Sequence, residues 1–507
     1  MRAAATPLRR HAAALACAAL AVLAVACGGG DDEPEAPLPA SLRELKSRPD
    51  LRPPRISVDA APERPGSRLV FLSPRMENTD RDGATHQQGA LALDERGRTR
   101  WFRPAADGAP ITDVRVQRYQ GRPVLTWWQG SMAELGIGKG RGVIADEAYR
   151  PIAFVEAGNG QTVDLHEVLI SRRDTALVTI YSRARRDLRP LGGKQNAQVT
   201  QGIVQEIDIQ TGEVLFEWQS LDHVALDESY QPLPEEEDAS WDYFHINSIA
   251  EDADGDLLVS ARHTSTVYKI DRETGDVVWR LGGKRSDFEL GEGVRFGIQH
   301  DARWISEDVL QVFDNVEQAK DPAKQEPSSV KRIRLDEKAM TATLEQRFDQ
   351  PDGMWALSQG NADAQPDGGA MVGWGSTGAF TLFDRRGDVL LDAHLPAEYD
   401  SYRAYAQRWV GRPLTRPSIH VGREAEQITV AASWNGATEV QAWQVLAGPS
   451  ANDLQPVGAP AEWQDLETTI VRATRHPYVA VRALDAEGRS LGVSPAVHAP
   501  MPPSEEG

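Results

Sequence analysis

The chain has 507 residues, enough for two or three domains or one large repeat array, and its composition of 40% hydrophobic and 26% charged residues is typical of a globular protein. Its formal net charge of −20 argues against nucleic acid as a partner. Cys17 and Cys27 are the two cysteines. If a targeting segment that ends at residue 26 is removed, neither a disulfide nor a cysteine metal site can form.

Residues 1–26 have the pattern of a bacterial lipoprotein signal peptide. Arginines precede the apolar run AAALACAALAVLAVA, which is too short for an ordinary transmembrane helix. We expect Cys27 to be acylated after cleavage, so that the exported protein contacts a membrane through its lipid anchor only. Gly28 rather than Asp after that cysteine favours the periplasmic side of the outer membrane. A plain secretory signal is the alternative.

Residues 27–66 are rich in proline and charge, which predicts a tether followed by an extended N-terminal segment. The closely spaced prolines in SRPDLRPP at 47–54 exclude a helix there.

From 67 to 416 a repeat recurs, in which an apolar strand, a turn that begins with aspartate and a second strand follow one another. Aspartate favours the start of such turns, and glycine their left-handed position. A second strand pair lies between these hairpins, which gives four strands per unit. Six units predict a six-bladed β-propeller, with a solenoid as the alternative. The aspartates that begin the turns are Asp94, Asp146, Asp208, Asp271, Asp336 and Asp384.

After about residue 415 the alternation continues without the aspartate turn. Residues 417–499 resemble a fibronectin type III sandwich, and 500–507 form a tail. The predicted fold is therefore all-β, a six-bladed β-propeller followed by a small fibronectin type III-like domain.

Histidines recur where the presumed innermost strands begin: His166 in DLHEV, His245 in FHINS and His300 in QHDAR. The innermost strand of a propeller blade lines the central channel. A single core histidine is usually a packing residue, but three at equivalent positions of a repeat indicate a functional pocket. Arg262 and His263 follow in SARHTS, and at most one of them should face the channel because neighbours on a strand face opposite sides.

Other polar residues near these strand ends suit a tetrahedral oxyanion. Arg262 and Arg303 offer positive charge, and Asn247 and Asn315 offer amides. An imidazole can act as nucleophile or general base. A metal is the alternative, because histidines bind transition metals and Asp301 or Asp314 could add oxygen ligands. No short metal-binding spacing such as HExxH occurs.

The order of several motifs resembles that in the arylsulfotransferase (ASST) family. The motifs are SRPDLRPP, DLHEV, FHINSIAEDADGDLLVSARHTSTVYKIDRETGDVVWRLGG, QHDARW and FDN. The resemblance implies a propeller with its site in the central channel. It also implies transfer of a sulfuryl group from a small aromatic sulfate ester to a phenol acceptor, without a nucleotide donor or another cofactor. The trailing sandwich is similar to that of a divergent branch.

The resemblance also implies roles for single residues. In the family a histidine takes up the sulfuryl group, while other histidines and an arginine hold the sulfate and assist proton transfer. The matching positions, expected to be catalytic, are His245, His300 and His263. No metal ion is expected. The residues expected to bind substrate are Arg262, Asn247, His166, Asp301, Arg303 and Asn315.

One departure concerns the nucleophile. The family's nucleophilic histidine lies beyond the FDN motif, but no histidine occurs here between His300 and His394. Another channel histidine could take this role, transfer could be direct, or the propeller could be a non-catalytic module that binds a ligand or a protein. If active, the chain would be an aryl-sulfate sulfotransferase.

Overall fold

The computed structural model describes residues 42–76, 87–106, 109–133, 136–236 and 238–500. Within these ranges the chain is almost entirely β, as predicted. The predicted signal peptide and Cys27 lie outside them. None of the helices found in the described ranges is long and apolar enough to cross a membrane.

The strands up to residue 407 are β1 (Ser57–Ala60), β2 (Leu69–Arg75), β3 (Gly89–Asp94), β4 (Thr99–Pro104), β5 (Ile111–Tyr119), β6 (Arg122–Met132), β7 (Gly138–Ala145), β8 (Pro151–Val155), β9 (Val168–Ile170), β10 (Thr175–Arg186), β11 (Ala197–Asp208), β12 (Val214–Gln219), β13 (Trp241–Asp242), β14 (Ile246–Glu251), β15 (Leu257–Ala261), β16 (Thr266–Ile270), β17 (Val277–Gly282), β18 (Glu289–Leu290), β19 (His300–Trp304), β20 (Val309–Asp314), β21 (Ser329–Asp336), β22 (Thr341–Asp349), β23 (Asn361–Ala364), β24 (Ala370–Gly373), β25 (Ala379–Phe383), β26 (Val389–His394) and β27 (Asp400–Gln407).

The later strands are β28 (Ser418–Glu424), β29 (Gln427–Ser433), β30 (Ala442–Ser450), β31 (Asp453–Pro456), β32 (Ala461–Glu462), β33 (Glu467–Ala473), β34 (Tyr478–Leu484), β35 (Ser490–Val493) and β36 (Val497–His498). The helical turns are α1 (Ser220–His223) and the 3₁₀ turns Arg189–Leu191, Leu226–Glu228, Pro322–Lys324 and Gly375–Thr377.

Strands β1 to β27 form six sheets in the described residues. The first has the order β27-β2-β3-β4, so a late strand completes an early sheet. The others are β5 to β8, β9 to β12 with β13, β14 to β17, β19 to β22 with β18, and β23 to β26 with β1. Successive strands pair antiparallel, as in hairpins, whereas β13 and β18 pair parallel with their partners. We call β27, β5, β9, β14, β19 and β23 the leading strands.

The predicted aspartate turns are confirmed, and all six join the third and fourth strands of a sheet. In each, a carboxylate oxygen accepts backbone N–H groups from the following residues. Glycine takes the left-handed position in four of them. Tyr149, with φ of 62°, and Met340, with φ of 53°, adopt left-handed backbone in the two turns without it.

The strands are more buried than the sequence predicts. The stretch from Phe244 to Asp271 predicts two half-buried strands, but it forms β14, β15 and β16, which are buried on almost every residue. The physical reason is that sheets pack face to face. Leu177 and Val204 of the third sheet share one apolar cluster with Ile249 of the fourth.

Residues beyond 417 form two further sheets around one apolar core. Strands β28, β29 and β33 make one sheet, and β31, β30, β34 and β35, with β32 and β36 beside them, make the other. Trp443 lies in this core, 1% exposed. Asn435 donates to and accepts from the backbone of Phe102, which covers the free edge of β4.

Candidate functional site

The candidate site lies where the leading strands begin. Left-handed backbone marks these starts, with φ of 53° at His245, 52° at Asp301 and 55° at Asp113. The pairing register shifts at or beside the same places. Each such non-glycine residue costs about 1–3 kcal/mol unless its surroundings hold it, and β-bulges redirect side chains. These distortions accompany a cluster of polar side chains from neighbouring sheets.

His166 lies just before β9 and is bound to the carboxylate of Asp164. Both the Nδ1 and the backbone N–H of His166 contact Oδ1 of Asp164. The backbone N–H of Gly138 donates to the other oxygen at 2.6 Å. Because a carboxylate accepts, Nδ1 of His166 carries a proton, and the neutral form of the ring presents a lone pair on Nε2.

His245 forms a second pair of the same kind with Asp242. Its Nδ1 lies 2.6 Å from Oδ2 of Asp242, and its backbone N–H donates to Oδ1 at 3.1 Å. No described residue forms a hydrogen bond with the Nε2 of His245 or of His166. Neither Nε2 atom is fully buried without a hydrogen-bond partner. Both lone pairs therefore face accessible space.

His263 has partners on both ring nitrogens. Its Nδ1 donates to the carbonyl oxygen of Asp242 at 2.6 Å, and its Nε2 accepts from Arg262 at 3.0 Å. Arg262 also donates to the carbonyl of Leu357 at 3.2 Å, while its buried Nε has no partner. His263 therefore positions Arg262 and has no free lone pair.

His300 is fixed in a similar way. Its Nδ1 lies 2.7 Å from Oδ1 of Asn315, whose amide nitrogen donates to the carbonyls of Ala356 and Gln359. This orientation of the amide makes Nδ1 of His300 the donor. The backbone N–H of Gln359 donates to Nε2 of His300 at 3.3 Å.

The rings of three predicted residues lie next to one another. The ring centroids of His166 and His245 are 5.2 Å apart, and those of His245 and His263 are 4.6 Å apart. Tyr181 and Tyr402 enclose this group, with ring centroids 5.6 and 5.5 Å from that of His166. His245 thus lies between His166, whose Nε2 is also free, and His263, which accepts the hydrogen bond from Arg262.

Burial favours the neutral form of three imidazoles, those of His245, His263 and His300. It lowers the pKa of His245 and His300 well below the ordinary value, and Arg262 adds to the effect. Burial and then the nearby His245 lower the pKa of His263 to about 3. Burial also lowers the pKa of Arg262 and raises that of the Asp242 carboxyl. A neutral imidazole retains the lone pair that a nucleophile or general base requires.

A buried ion network lies beside the histidines. The carboxylate of Glu167, next to His166 in the chain, accepts hydrogen bonds from Arg115, Arg303 and Arg403. Burial opposes ionisation of Glu167, but the three guanidinium groups hold its pKa below the ordinary value. The three arginines belong to three different sheets and Glu167 directly precedes β9 of a fourth, so the network ties these sheets together at the site.

Three predicted substrate-binding residues have structural partners here. Arg303 donates to Asp301 at 2.8 Å, and Asp301 accepts the backbone N–H of Ala362 at 3.1 Å. Asn247 donates its side-chain amide to the carbonyl of Gln299 at 2.6 Å. The Oδ1 of Asn247 is buried and has no partner, whereas the polar groups of Asp301 and Arg303 named above are engaged. These contacts suit positioning roles for Asp301 and Arg303.

A cavity of about 650 Å³ lies apart from the histidines. Later residues of several leading strands line it, so Asp301 and Arg303 belong to this cavity while His166 and His245 do not. Its lining includes Arg115, Arg118, Ile170, Arg172, Asp301, Arg303, Trp304, Asp363, Tyr405 and Gln407.

The alternative of a metal fits one group of side chains in part. Asp242, His245 and His263 offer ligand atoms that lie within 4.8 Å of one another. However, both ring nitrogens of His263 are engaged, and the guanidinium of Arg262 would repel a second cation. Metal binding would have to displace Arg262. The geometry thus favours an anion.

The sequence analysis missed both aspartates that orient the open histidines. Asp164 stands two residues before His166, and Asp242 stands three residues before His245. These spacings were visible in DLHEV and WDYFH and could have indicated the pairs. The sequence analysis also missed Arg403. Its partners are distant in the chain, so no sequence pattern indicates its role.

Comparison with solved structures gives only low similarity. A protein of unknown function from Bacteroides caccae has a TM-score of 0.41 at 11% identity, over 68% of this chain and 100% of its own. A protein from Lactobacillus plantarum has 0.34 at 10% identity, over 80% and 98%. A catalytically inactive virginiamycin B lyase from Staphylococcus aureus has 0.31 at 10% identity, over 76% and 94%. Scores at this level support no argument about fold or function.

No curated protein matches the chain significantly. The family model for arylsulfotransferase (ASST) matches residues 115–395, from β5 through the sixth sheet, and so includes the four site histidines. This match spans more than half of the chain, and the protein therefore belongs to the arylsulfotransferase (ASST) family.

Proposed function

We propose that the protein transfers a sulfuryl group from an aryl sulfate ester to a phenol acceptor, without a nucleotide donor. One observation carries this proposal. His166 and His245 lie side by side, each with Nδ1 bound to a carboxylate and Nε2 open, beside the guanidinium of Arg262. The lone pairs suit nucleophilic and proton-transfer steps, and the cation suits the sulfuryl oxygens.

The proposed architecture is the predicted six-bladed β-propeller over 67–416. Two features support it. Strand β27 completes the first sheet, and five pairs of leading strands are in contact: β27 with β5, β5 with β9, β14 with β19, β19 with β23, and β23 with β27. Strand β14 contacts β10 of the preceding sheet. Ring closure by a late strand of this kind leaves only short edges exposed.

We assign 417–499 to a fibronectin type III-like sandwich. A three-stranded sheet of β28, β29 and β33 opposite one built on β31, β30, β34 and β35 supports this assignment. It has no assigned role in the chemistry.

We further propose that the protein is exported and anchored through a lipid on Cys27, on the periplasmic side of the outer membrane. The support is the sequence pattern of residues 1–27. Metabolic labelling with a fatty acid should mark the wild-type chain and leave Cys27→Ser unlabelled. Labelling of that variant to the same degree would contradict the assignment.

The test of function is release of phenol from a chromogenic aryl sulfate by the purified full chain, with and without a phenol acceptor. Release that depends on the acceptor, with the sulfate recovered on the acceptor, is the expected result. No release from any of several donors would overturn the proposal and favour the non-catalytic binding module.

A metal-assisted hydrolase is the second candidate, favoured by the grouping of Asp242, His245 and His263. It predicts release without acceptor and loss of activity after chelation. If the protein is a sulfuryl transferase without a metal, a chelator should leave its activity unchanged.

A further inference from the structure

We propose that His245 accepts the sulfuryl group, oriented by Asp242, and that the Asp164–His166 pair moves the proton of the phenol. The inference rests on the proposed sulfuryl transfer and names the residues that perform it in a chain without a histidine between His300 and His394.

The hydrogen bonds select two of the four site histidines. His263 and His300 have partners on both ring nitrogens, so neither offers a lone pair without breaking a contact. His166 and His245 each have a carboxylate on Nδ1 and nothing bound to Nε2 among the described residues. A nucleophile must therefore be His166 or His245.

The surroundings of the two open rings assign the roles. The ring of His245 contacts that of His263, whose Nε2 receives Arg262, and Arg262 retains a buried Nε without a partner. A sulfuryl group on His245 would thus have a guanidinium nearby for its oxygens. Tyr181 lies 5.6 Å from both open rings, but Tyr402 contacts the ring of His166, and Asp164 can stabilise the protonated form of that ring.

The reaction then balances in two steps. At the start of the first step, Nε2 of His166 has taken up a proton from water, and the carboxylate of Asp164 balances the charge of the ring. The Nε2 lone pair of His245 then forms an N–S bond while the S–O bond to the aryl group breaks, and the leaving oxygen takes the proton from Nε2 of His166. The acceptor oxygen next attacks sulfur, the N–S bond returns its electron pair to His245, and the acceptor's proton passes to His166. Both rings end in their starting states.

The decisive experiment is identification of the modified residue. The full chain is mixed with 4-nitrophenyl sulfate in the absence of acceptor, quenched under alkaline conditions and analysed as peptides by mass spectrometry. We expect one added SO₃ group on the peptide that contains His245, and its loss when a phenol is added.

Three variants separate nucleophile, orienting group and proton carrier. His245→Asn, chosen because asparagine tolerates left-handed backbone, should form no adduct. Asp242→Asn should lower kcat about 10²–10⁴-fold with little change in KM, because the ring loses its fixed tautomer. His166→Ala should lower kcat about 10²–10⁴-fold for donors that release a weakly acidic phenol and much less for 4-nitrophenyl sulfate, which needs no acid.

The surface offers a matched control, since Nδ1 of His394 lies 3.1 Å from a carboxylate oxygen of Asp59. His394→Ala and Asp59→Asn should change neither the adduct nor kcat. Thermal unfolding of every variant checks that it folds. Turnover with the adduct on another histidine, or with no adduct, would overturn this inference and leave the proposed function intact. Absence of turnover in the wild type would overturn both.

Discussion

At the level of single residues, the hydrogen-bond partner of each imidazole decides what it can do. The sequence assigns the four histidines similar places, but only His166 and His245 have an open Nε2. The difference lies in their neighbours: carboxylates bind the two open rings through Nδ1, whereas Arg262 and the backbone of Gln359 occupy the other two Nε2 atoms. Residue type and spacing alone do not distinguish these cases.

The pH profile tests the state of His245. Burial lowers its pKa well below 6.5, so the neutral form should persist as the pH falls through that value. We expect kcat/KM for 4-nitrophenyl sulfate, whose leaving group needs no acid, to stay nearly constant from about pH 8 to about pH 6. Steady-state rates across this range provide the measurement. A loss of activity centred near pH 6.5 would contradict it.

At the level of elements, local turn chemistry accounts for much of the chain. The aspartate turns formed as predicted because a carboxylate and the N–H groups it binds lie within four residues, which needs no tertiary context. Strand burial was predicted less well. The alternation of apolar and polar residues predicted that one face of each strand contacts solvent. Strands β14 to β16 are instead buried, because neighbouring sheets cover both of their faces.

A turn in the C-terminal part gives a stability prediction. Ala425, between β28 and β29, is exposed and has φ of 50°, a backbone that suits glycine. Ala425→Gly should raise the free energy of unfolding by about 0.5–1 kcal/mol, because it relieves left-handed strain. Denaturant unfolding measures the change.

The control for this prediction is Ala486→Gly, at an exposed turn position without positive φ. This variant should be neutral or slightly destabilising. An equal gain in both variants would mean that backbone strain is not the cause.

At the level of the whole molecule, buried charges join sheets that are far apart in sequence. Arg403, in the strand that completes the first sheet, is fully buried and contacts Asp113 at 3.1 Å, Glu167 at 3.2 Å and Asp301 at 3.6 Å. Asp113 and Asp301 belong to two other sheets, and Glu167 directly precedes β9 of a third. The network therefore makes the site and the packing of β27 in the first sheet depend on each other.

Replacement of Arg403 by a neutral residue should strongly destabilise the protein. Arg403→Met leaves the carboxylates of Asp113 and Glu167 with fewer partners in a buried position, and we expect a loss of about 3–5 kcal/mol in unfolding free energy. Arg412→Met, which breaks an exposed pair with Glu439, should cost less than about 1 kcal/mol. Denaturant unfolding compares the two. Similar losses of unfolding free energy in the two variants would show that the buried network contributes no more to stability than an exposed ion pair.

Asp363 should give the stability a pH dependence. Burial raises the pKa of its carboxyl from 3.8 to about 7, so between these values the folded state holds a proton that the unfolded state releases. Stability should therefore fall as the pH rises through this window. Asp363→Asn still accepts the backbone N–H of Ala406 but cannot titrate, so it should remove the decrease in stability that comes from Asp363. Above about pH 7 this variant should be more stable than the wild type.

Unfolding midpoints measured from about pH 5 to about pH 8 test this prediction. Asp254→Asn, in an exposed turn, should follow the wild type. Parallel curves for the wild type and Asp363→Asn would contradict the assignment.

The sequence by itself determined the strand class, the aspartate turns and the family, and it indicated the four histidines of the candidate site, because each depends on short-range patterns or on motifs that keep their order. Only the tertiary structure decided which histidines keep a free lone pair, how Asp242 and Asp164 orient them, and that Arg403 joins the site to sheets built from residues as distant as Asp113. Those contacts depend on how six sheets pack together, and no local pattern in the chain encodes the directions of the side chains that meet there.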